Sequence, residues 1–453
     1  MTELLERYLA PGETWGKLCE RTAGLMQYED ERKEIFEQLY EMRFLPNSPC
    51  LVNGGRSKNL MACHLIHVPD DIDGIFNANR WAATIFKSGG GVGVELSELS
   101  PYGTALKYAP MGIASGPVSF MEVFNTTAQV VMEGGLRRAA MMATLNAKHP
   151  DIEKFIACKT EDGRLKNFNI SVTVDAGPNK IPMALWDRLI KQAHFNGEPG
   201  IVFLDRINQD NPTLHDFGLI KGVNACSETA MYDMGSCCLA SVVLPNVIEN
   251  FGKWDRLKRT VGLMVRFLNR IIDVNHYPLP QIAKMTKRDR RIGIGVMGWA
   301  DLLERERIPF VSQTAKDLAN EICHTIFTTA NQESVELAKR DGGYLPGRRR
   351  NATLMAIAPT GHISRLAGVS PSIYPPYEVS LRMTLEEHLN HIMSWNAVDN
   401  GISYTVCFPN DAPVKVVDGI YREAWERRLK SISCYRDGSR EGQPLCKLDG
   451  TCG

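Results

Sequence analysis

The feature that most constrains the fold is an alternation of helical stretches with very short apolar runs. Between residues 185 and 310 a helical stretch such as Trp254 to Ile272 alternates with Ile201-Val202-Phe203-Leu204 and Ile292-Gly293-Ile294-Gly295-Val296. Runs this short and this apolar, spaced by helices, bury both faces as strands of a mostly parallel sheet. Upstream, from Asn47 to about Asn179, β-branched runs are interrupted by Gly54-Gly55, Gly89-Gly90-Gly91 and Gly134-Gly135, which predicts loops that carry backbone close to something. Residues 1 to 45 have helix-like apolar spacing (Leu4, Leu5, Tyr8; then Ile35, Phe36, Leu39, Tyr40), broken at Pro11-Gly12 and stopped at Pro46. A helix is predicted from about Gln313 to Arg340, followed by a strand from Thr353 to Ala358 that runs into a Pro-Thr-Gly loop. From Asp437 the chain is rich in Gly, Ser, Arg and Pro without an apolar period, which predicts a mobile tail.

Charge excludes several functions. The 453 residues carry 52 Lys plus Arg against 52 Asp plus Glu, so the long-range attraction that draws basic proteins to nucleic acid or anionic lipid is missing, while small anions remain accessible ligands. The start, Met1 to Arg7, lacks the basic and apolar regions of a secretory signal, and no run of about 18 apolar residues occurs. A cytoplasmic protein with no nucleic-acid or membrane partner is expected. The 12 cysteines are too sparse for a secreted disulfide scaffold, so their positions matter more than their number.

The segment that carries chemistry is Val223-Asn224-Ala225-Cys226-Ser227-Glu228. In an extended backbone Asn224, Cys226 and Glu228 would share one face: an amide to orient hydroxyls, a thiol to react and a carboxylate to move a proton. No histidine lies close in sequence to lower the thiol pKa, which disfavours a cysteine-protease reading and leaves room for one-electron chemistry. Taken alone, this spacing more often marks a buried cysteine beside a surface glutamate.

Its neighbours change that weighting. Asn47-Ser48-Pro49, Ala62-Cys63, Lys87-Ser88-Gly89-Gly90-Gly91-Val92-Gly93, Ala114-Ser115-Gly116-Pro117-Val118-Ser119-Phe120, Gly134-Gly135-Leu136-Arg137-Arg138, Asn224-Ala225-Cys226-Ser227-Glu228, Ala358-Pro359-Thr360-Gly361-His362-Ile363-Ser364 and Tyr435-Arg436-Asp437-Gly438-Ser439-Arg440 follow one another along the chain. In this order they resemble the large, catalytic subunit of ribonucleotide reductase, with a wording similar to the adenosylcobalamin-dependent (class II) enzymes and a length like the minimal reductases of some phages.

The resemblance implies an α/β fold: a ten-stranded α/β barrel of two five-stranded parallel halves with a central finger loop. It divides the chain into a short N-terminal helical segment, 1–46, too short for an ATP cone; a catalytic barrel with effector loops, 47–436; and a redox-active tail, 437–453. Cys226 would be the thiyl radical that removes the ribose 3′-hydrogen, Glu228 the base for the 3′-hydroxyl, and Asn224 a hydrogen-bonding partner of the sugar hydroxyls. Cys63 and Cys237 would form a disulfide each turnover, with Cys238 in reserve because Cys237-Cys238 stands where relatives usually have Cys-Asn. Cys446 and Cys452 resemble the shuttle that takes electrons from thioredoxin or glutaredoxin; a zinc site would want more ligands than this pair offers.

For the substrate, a ribonucleoside di- or triphosphate, the resemblance points to Ser48, Gly91 and the loop Pro359, Thr360, Gly361, His362, Ile363, Ser364, since amides at a strand-to-helix turn bind anions. For a deoxynucleoside triphosphate (dNTP) effector it points to Asp70 and to the loop Lys159 to Asn167 with Lys159, Asp162, Gly163 and Arg164. The effector-phosphate region departs from the family: Leu99-Ser100-Pro101-Tyr102-Gly103 stands where Leu-Arg-Pro-Lys-Gly is usual, so Lys107 or another basic group would have to substitute.

Two radical sources fit the resemblance. The single tyrosine of Cys434-Tyr435-Arg436 and the ending that follows favour adenosylcobalamin; a metal or radical cofactor on a separate ferritin-like subunit would instead use Tyr435, with Cys434, as a relay. Competing readings are a glycyl-radical enzyme on the same barrel, whose C-terminal glycine motif is not found, and a catalytically inactive nucleotide-binding regulator, which the intact Asn224, Cys226 and Glu228 disfavour. Monomer and homodimer stay open.

Overall fold

The computed structural model describes residues 5–106, 109–131, 140–161, 163–345 and 347–440. Strands in chain order are β1 (Phe44–Pro46), β2 (Cys63–His67), β3 (Gly91–Glu95), β4 (Ala105–Leu106), β5 (Ala109–Ile113), β6 (Met141–Asn146), β7 (Phe168–Val174), β8 (Gly200–Phe203), β9 (Gly222–Val223), β10 (Ala230–Met231), β11 (Ser236–Val243), β12 (Ile292–Met297), β13 (Thr405–Phe408) and β14 (Ser431–Arg436). The chain forms two compact units: residues 1–62, 236–376 and 390–402 in the first, and 63–235, 377–389 and 403–453 in the second.

In the second unit β2, β3, β6, β7 and β8 run parallel as neighbours. β14 joins β8 antiparallel and β13 lies parallel to β14. Each crossover is helical: Ile72–Lys87, Pro117–Val130, Ile152–Ala157 and Met183–Asn196. Of these strands, β8 is the short apolar run that the sequence predicts at Ile201 to Leu204; β7 and β8 are buried at every position but one. Asp71 starts the first of the helices by accepting the Gly74 amide at 2.7 Å, an N-cap that satisfies one open donor.

In the first unit β1 pairs antiparallel with β11, and β11 pairs parallel with β12. The N-terminal segment therefore contributes a strand beside its helices Trp15–Ala23 and Glu29–Tyr40. The long helices Asp255–Val274 and Gln313–Asp341 match the predicted spans to within two residues at either end. The predicted strand at Thr353 to Ala358 is a correction. Only isolated parallel bridges form there, Met355 to Ile294 and Ile357 to Ile402. The reason is local: Asp399 takes the amides of Leu354 and Met355 at 3.0 and 2.8 Å, donors that a regular ladder would use on a neighbouring strand.

Among the described residues, no helix is long and apolar enough to cross a membrane.

Candidate active site

The Asn224 to Glu228 segment is the turn of a hairpin, not an extended strand. β9 and β10 pair through Val223 with Ala230 and Gly222 with Met231. Asn224 closes the loop: its amide N–H donates to the Thr229 carbonyl at 3.0 Å, and its Oδ1 accepts the Thr229 amide at 2.9 Å. Ser227 turns the chain with φ +63° and donates its amide to the Asn224 carbonyl at 3.1 Å. The expectation of alternate side chains on one extended face is thus corrected. A side chain that bonds its own loop competes with strand geometry, and Asn224 and Glu228 come together across the turn rather than along a strand.

The hairpin lies on β2, β3 and β6, and two glycines permit that seat. A Cβ on Gly93 would sit 1.8 Å from the Val223 carbonyl oxygen, and one on Gly222 would sit 2.8 Å from Leu65 Cδ1. Side chains two apart share a strand face, so Cys63 and Leu65 of β2, with Gly91 and Gly93 of β3, look toward the hairpin. Gly91 lies directly across from Cys63 in register.

Here three predicted residues meet. Asn224 Nδ2 donates to Cys63 Sγ at 3.1 Å, and Cys63 Sγ reaches Glu228 Oε1 at 3.6 Å. Asn224, Cys63 and Glu228 are buried, whereas Cys226 is half-buried at the turn. Glu228 Oε2 has no hydrogen-bond partner among the described residues. Burial pushes the Glu228 carboxyl above its ordinary 4.5, opposed by hydrogen bonds from Asn224 and Cys63. Such an oxygen can accept a hydroxyl proton, in reach of a thiol that can be oxidised.

Cys237 and Cys238 sit on β11 in the first unit. Consecutive strand residues face opposite ways. Cys238 lies beside Cys50, and burial holds its thiol well above the ordinary value; Cys50 belongs to the short helix Ser48–Asn53, so Cys238 faces that helix. Cys237 takes the other face with Leu239 and Ser241, the side on which Leu239 and Ala356 would meet a Cβ on Gly293.

Of the substrate-loop residues, Thr360 N-caps the helix Gly361–Ala367 with φ +54°. Its Oγ1 accepts the Ser372 amide at 2.7 Å, and Ser372 is itself left-handed at φ +52°. Two non-glycine residues in this sparsely populated region, tied to each other, hold the turn by strain that the surroundings must supply. Asp301 anchors the same loop by accepting the Ser370 amide at 2.7 Å. Sequence reasoning missed Asp301, Ser370 and Ser372, because only the folded loop brings them to Thr360. Pro359, Gly361 and His362 are partly exposed; Ile363 and Ser364 are buried, and the Ser364 amide is spent on the Thr360 carbonyl at 2.9 Å. Ser48 Oγ shares a hydrogen bond with Tyr8 OH at 3.0 Å.

Around the predicted effector site, Asp70 accepts the Ser100 amide at 2.7 Å and its hydroxyl at 2.5 Å. Tyr102 donates its amide to Asp151 at 2.6 Å, and Lys154, on the helix Ile152–Ala157, stands 4.0 Å over the Tyr102 ring while pairing with Asp151 at 3.1 Å. Lys159 is engaged internally, paired with Glu198 at 2.5 Å and donating to the Phe168 carbonyl. Gly163 turns its loop at φ +78°, and Arg164 pairs with Glu122 at 2.9 Å. Lys107, Asp162, Cys446 and Cys452 lie outside the described residues, as does Gly134 to Arg138.

On β14, Ser431, Ser433 and Tyr435 share the face from which Ser431 Oγ reaches the Ser227 carbonyl at 3.4 Å. The Tyr435 hydroxyl is buried with no hydrogen-bond partner among the described residues. Cys434 faces the other way, 3.6 Å from Tyr421 OH, and burial raises its thiol to about 12. A relay through both Cys434 and Tyr435 would therefore have to cross the sheet.

Comparison with known proteins gives the family. The family model described as ribonucleotide reductase, barrel domain, matches residues 61–177 and 179–347. The vitamin B12-dependent ribonucleoside-diphosphate reductase of Mycobacterium tuberculosis (strain CDC 1551 / Oshkosh) is 33% identical over 555 residues, covering 98% of this chain and 80% of that protein. Its namesake in Thermoplasma acidophilum is 37% identical over 505 residues, 90% of this chain and 65% of that one. Among solved structures, the alpha subunit of the Actinobacillus ureae class Id ribonucleotide reductase superposes with a TM-score of 0.81 at 22% identity, covering 96% of both chains. A barrel-domain match over more than half of its residues and relatives a third identical across nearly all of them mean that this chain belongs to the ribonucleotide reductases, as a large-subunit enzyme of that family.

Proposed function

We propose that the chain reduces ribonucleotides to 2′-deoxyribonucleotides through a thiyl radical on Cys226. The observation that carries this reading is the cluster of Cys63, Asn224 and Glu228 packed beside the half-buried Cys226 turn. Cys226 takes the 3′-hydrogen as an atom, Glu228 accepts the 3′-hydroxyl proton through its unpartnered oxygen, and Asn224 orients the sugar. The 2′-hydroxyl leaves as water, and Cys63 with Cys237 supplies two electrons and two protons by forming a disulfide. That pairing rests on the family resemblance. The reading carries with it the barrel of two five-stranded parallel halves, and the parallel run β2, β3, β6, β7, β8 supports one half.

The substrate phosphates would meet Ser48, Gly91 and the Pro359 to Ser364 loop, with the Thr360–Ser372 bond fixing the turn. A dNTP effector would meet Asp70, Lys107 and the 159–167 loop. Thioredoxin or glutaredoxin would reduce the enzyme through Cys446 and Cys452.

For the radical source we favour adenosylcobalamin, which the nearly full-length B12-dependent relatives support. Cys226 fits it: among the hairpin's reactive side chains it alone is open at the turn, and the Cys226-Ser227 turn would meet the cofactor. When bound, the cofactor supplies a one-electron oxidant. One observation favours a second reading, a radical-generating partner subunit: Tyr435 keeps its buried hydroxyl unpartnered on the hairpin side of β14.

The test is deoxynucleotide formation by the purified chain with a dithiol, with and without adenosylcobalamin. Activity only with the cofactor is expected, together with its complete loss in Cys226→Ser and retained nucleotide binding. Full activity in Cys226→Ser would sink the mechanism. Activity that needs a partner subunit and disappears in Tyr435→Phe would establish the second reading.

A further inference from the structure

The first compact unit holds a cavity of about 470 Å³ walled by Tyr28, the C-terminal half of the helix Asp255–Val274, Arg290, the end of the helix Gln313–Asp341, and Arg350. Five guanidinium groups reach it, from Arg266, Arg270, Arg290, Arg340 and Arg350, against the carboxyls of Glu31, Asp273 and Asp341.

Three of the five cations are neutralised. Arg290 clasps Asp273 with two bonds, at 2.7 and 3.0 Å. Arg266 clasps Glu333 at 2.7 and 3.2 Å, and Arg340 pairs with Asp341 at 3.0 Å. Arg270 and Arg350 have carbonyl partners only. Arg270 donates through Nε to Leu25 O at 2.9 Å, and Arg350 donates through Nη1 to Asp341 O and Gly342 O at 2.7 and 2.6 Å.

The Asp341 and Gly342 carbonyls close the helix Gln313–Asp341 and carry partial negative charge, which accounts for the Arg350 bonds. It does not account for the rest of the groups. A guanidinium has five N–H donors, so both side chains keep donors to spare, with no carboxylate partner among the described residues. Burial raises the Glu31 carboxyl above its ordinary value, opposed first by Arg266, whose guanidinium lies 4.0 Å away, so this carboxylate faces Arg266 rather than Arg270 or Arg350. Arg350 is pushed down from its ordinary value by burial and then by Arg290, against the pull of Asp273 and Asp341.

We propose that this cavity is a binding site for phosphate groups, those of a nucleotide. Two guanidinium forks with free donors match the oxygens of a tetrahedral oxyanion. The volume falls within the range of about 300–1,000 Å³ typical of small-molecule sites, leaving room for more than a bare phosphate. Tyr28, half-exposed on the wall, offers a flat face to a base. The residues are separate from those assigned above to substrate and effector, so the site stands whether or not the radical mechanism does.

The test is calorimetric titration of the full chain with inorganic pyrophosphate and, separately, ATP. Arg270→Gln and Arg350→Gln are each expected to weaken pyrophosphate binding at least tenfold, whereas Thr360→Val, in the substrate loop, leaves that binding event in place. Tyr28→Ala weakening ATP but not pyrophosphate identifies a nucleotide; no effect of Tyr28→Ala on either identifies the free anion as the source of the phosphate. Should the glutamine variants unfold, Arg270→Lys and Arg350→Lys keep the charge while losing the fork, and a several-fold loss is expected of them. Unchanged pyrophosphate and ATP isotherms in folded variants would overturn the proposal.

Discussion

Glu228 and His388 are two buried titratable side chains displaced in opposite senses, and they pull stability in opposite directions. Burial raises the Glu228 carboxyl above 4.5 in the folded protein, so the fold binds this proton more tightly than the unfolded chain does. Its contribution is complete below the unfolded pKa and is lost as pH rises through the folded one. Glu228→Gln, which cannot ionise, should therefore gain on the parent as pH climbs above 4.5. Urea unfolding at pH 5 and pH 8 checks this, and an equal stability difference at both would contradict it. His388 runs the other way. Its Nε2 lies 3.0 Å from the Ser380 carbonyl, which fixes that nitrogen as the donor, and Nδ1 is left to accept from Tyr404 OH at 3.2 Å. Burial lowers it from 6.5 to about 4, so between those values the unfolded chain takes up a proton that the fold refuses. Stability should fall with decreasing pH across that window by roughly 1.4 kcal/mol per unit, and His388→Gln should flatten the slope. At this scale Cys226, Asn224 and Glu228 were legible in sequence as a reactive trio. The contact of Cys63 with two of them was not, because Cys63 lies far from them along the chain and only the hairpin's seat joins them.

At the scale of elements, the hairpin β9–β10 depends on how close β3 lets it come. A side chain at position 93 has no space, since its Cβ would fall 1.8 Å from a backbone oxygen that cannot swing aside. Gly93→Ala should leave the sheet folded at a cost of about 1–3 kcal/mol, the range for overpacked sites, while lifting the hairpin. A misplacement of about 1 Å is enough to cost on the order of 100-fold in turnover. Circular dichroism with a turnover assay checks this, and a variant with parental turnover would show that the hairpin tolerates displacement. The Lys87 to Gly93 glycine run was conspicuous in the sequence, yet which of its glycines bears the close approach was not. Gly89 has open space beside it, whereas Gly90 packs on the His64 ring. The Thr353 to Ala358 segment teaches the same lesson in reverse: its apolar pattern is that of a strand, but Asp399, more than forty residues on, claims its amides.

At the scale of the whole molecule, the proposed function requires a reductant to reach an internal disulfide at the end of each turnover, the role it gives to Cys446 and Cys452. On the proposed function, Cys446→Ser should stop thioredoxin-driven multiple turnover while a pre-reduced enzyme still completes one. Rapid-quench product counts separate the two, and equal multiple-turnover rates in variant and parent would remove the shuttle role. The alternation of helices with short apolar runs determined, from sequence alone, an α/β fold with parallel strands; ordered motifs added its family and the enzyme reading. Those properties are local: helix period, strand length and caps are set by residues within a few positions of one another. Tertiary structure alone decided that Asn224 and Glu228 converge on Cys63, that Cys238 faces a helix and leaves the other face to Cys237, that Thr360 is held by Ser372, and that Arg270 and Arg350 line one cavity. Each of these is a contact between distant positions, made only when packed elements bring a donor, thiol or charge within a few ångströms of its partner.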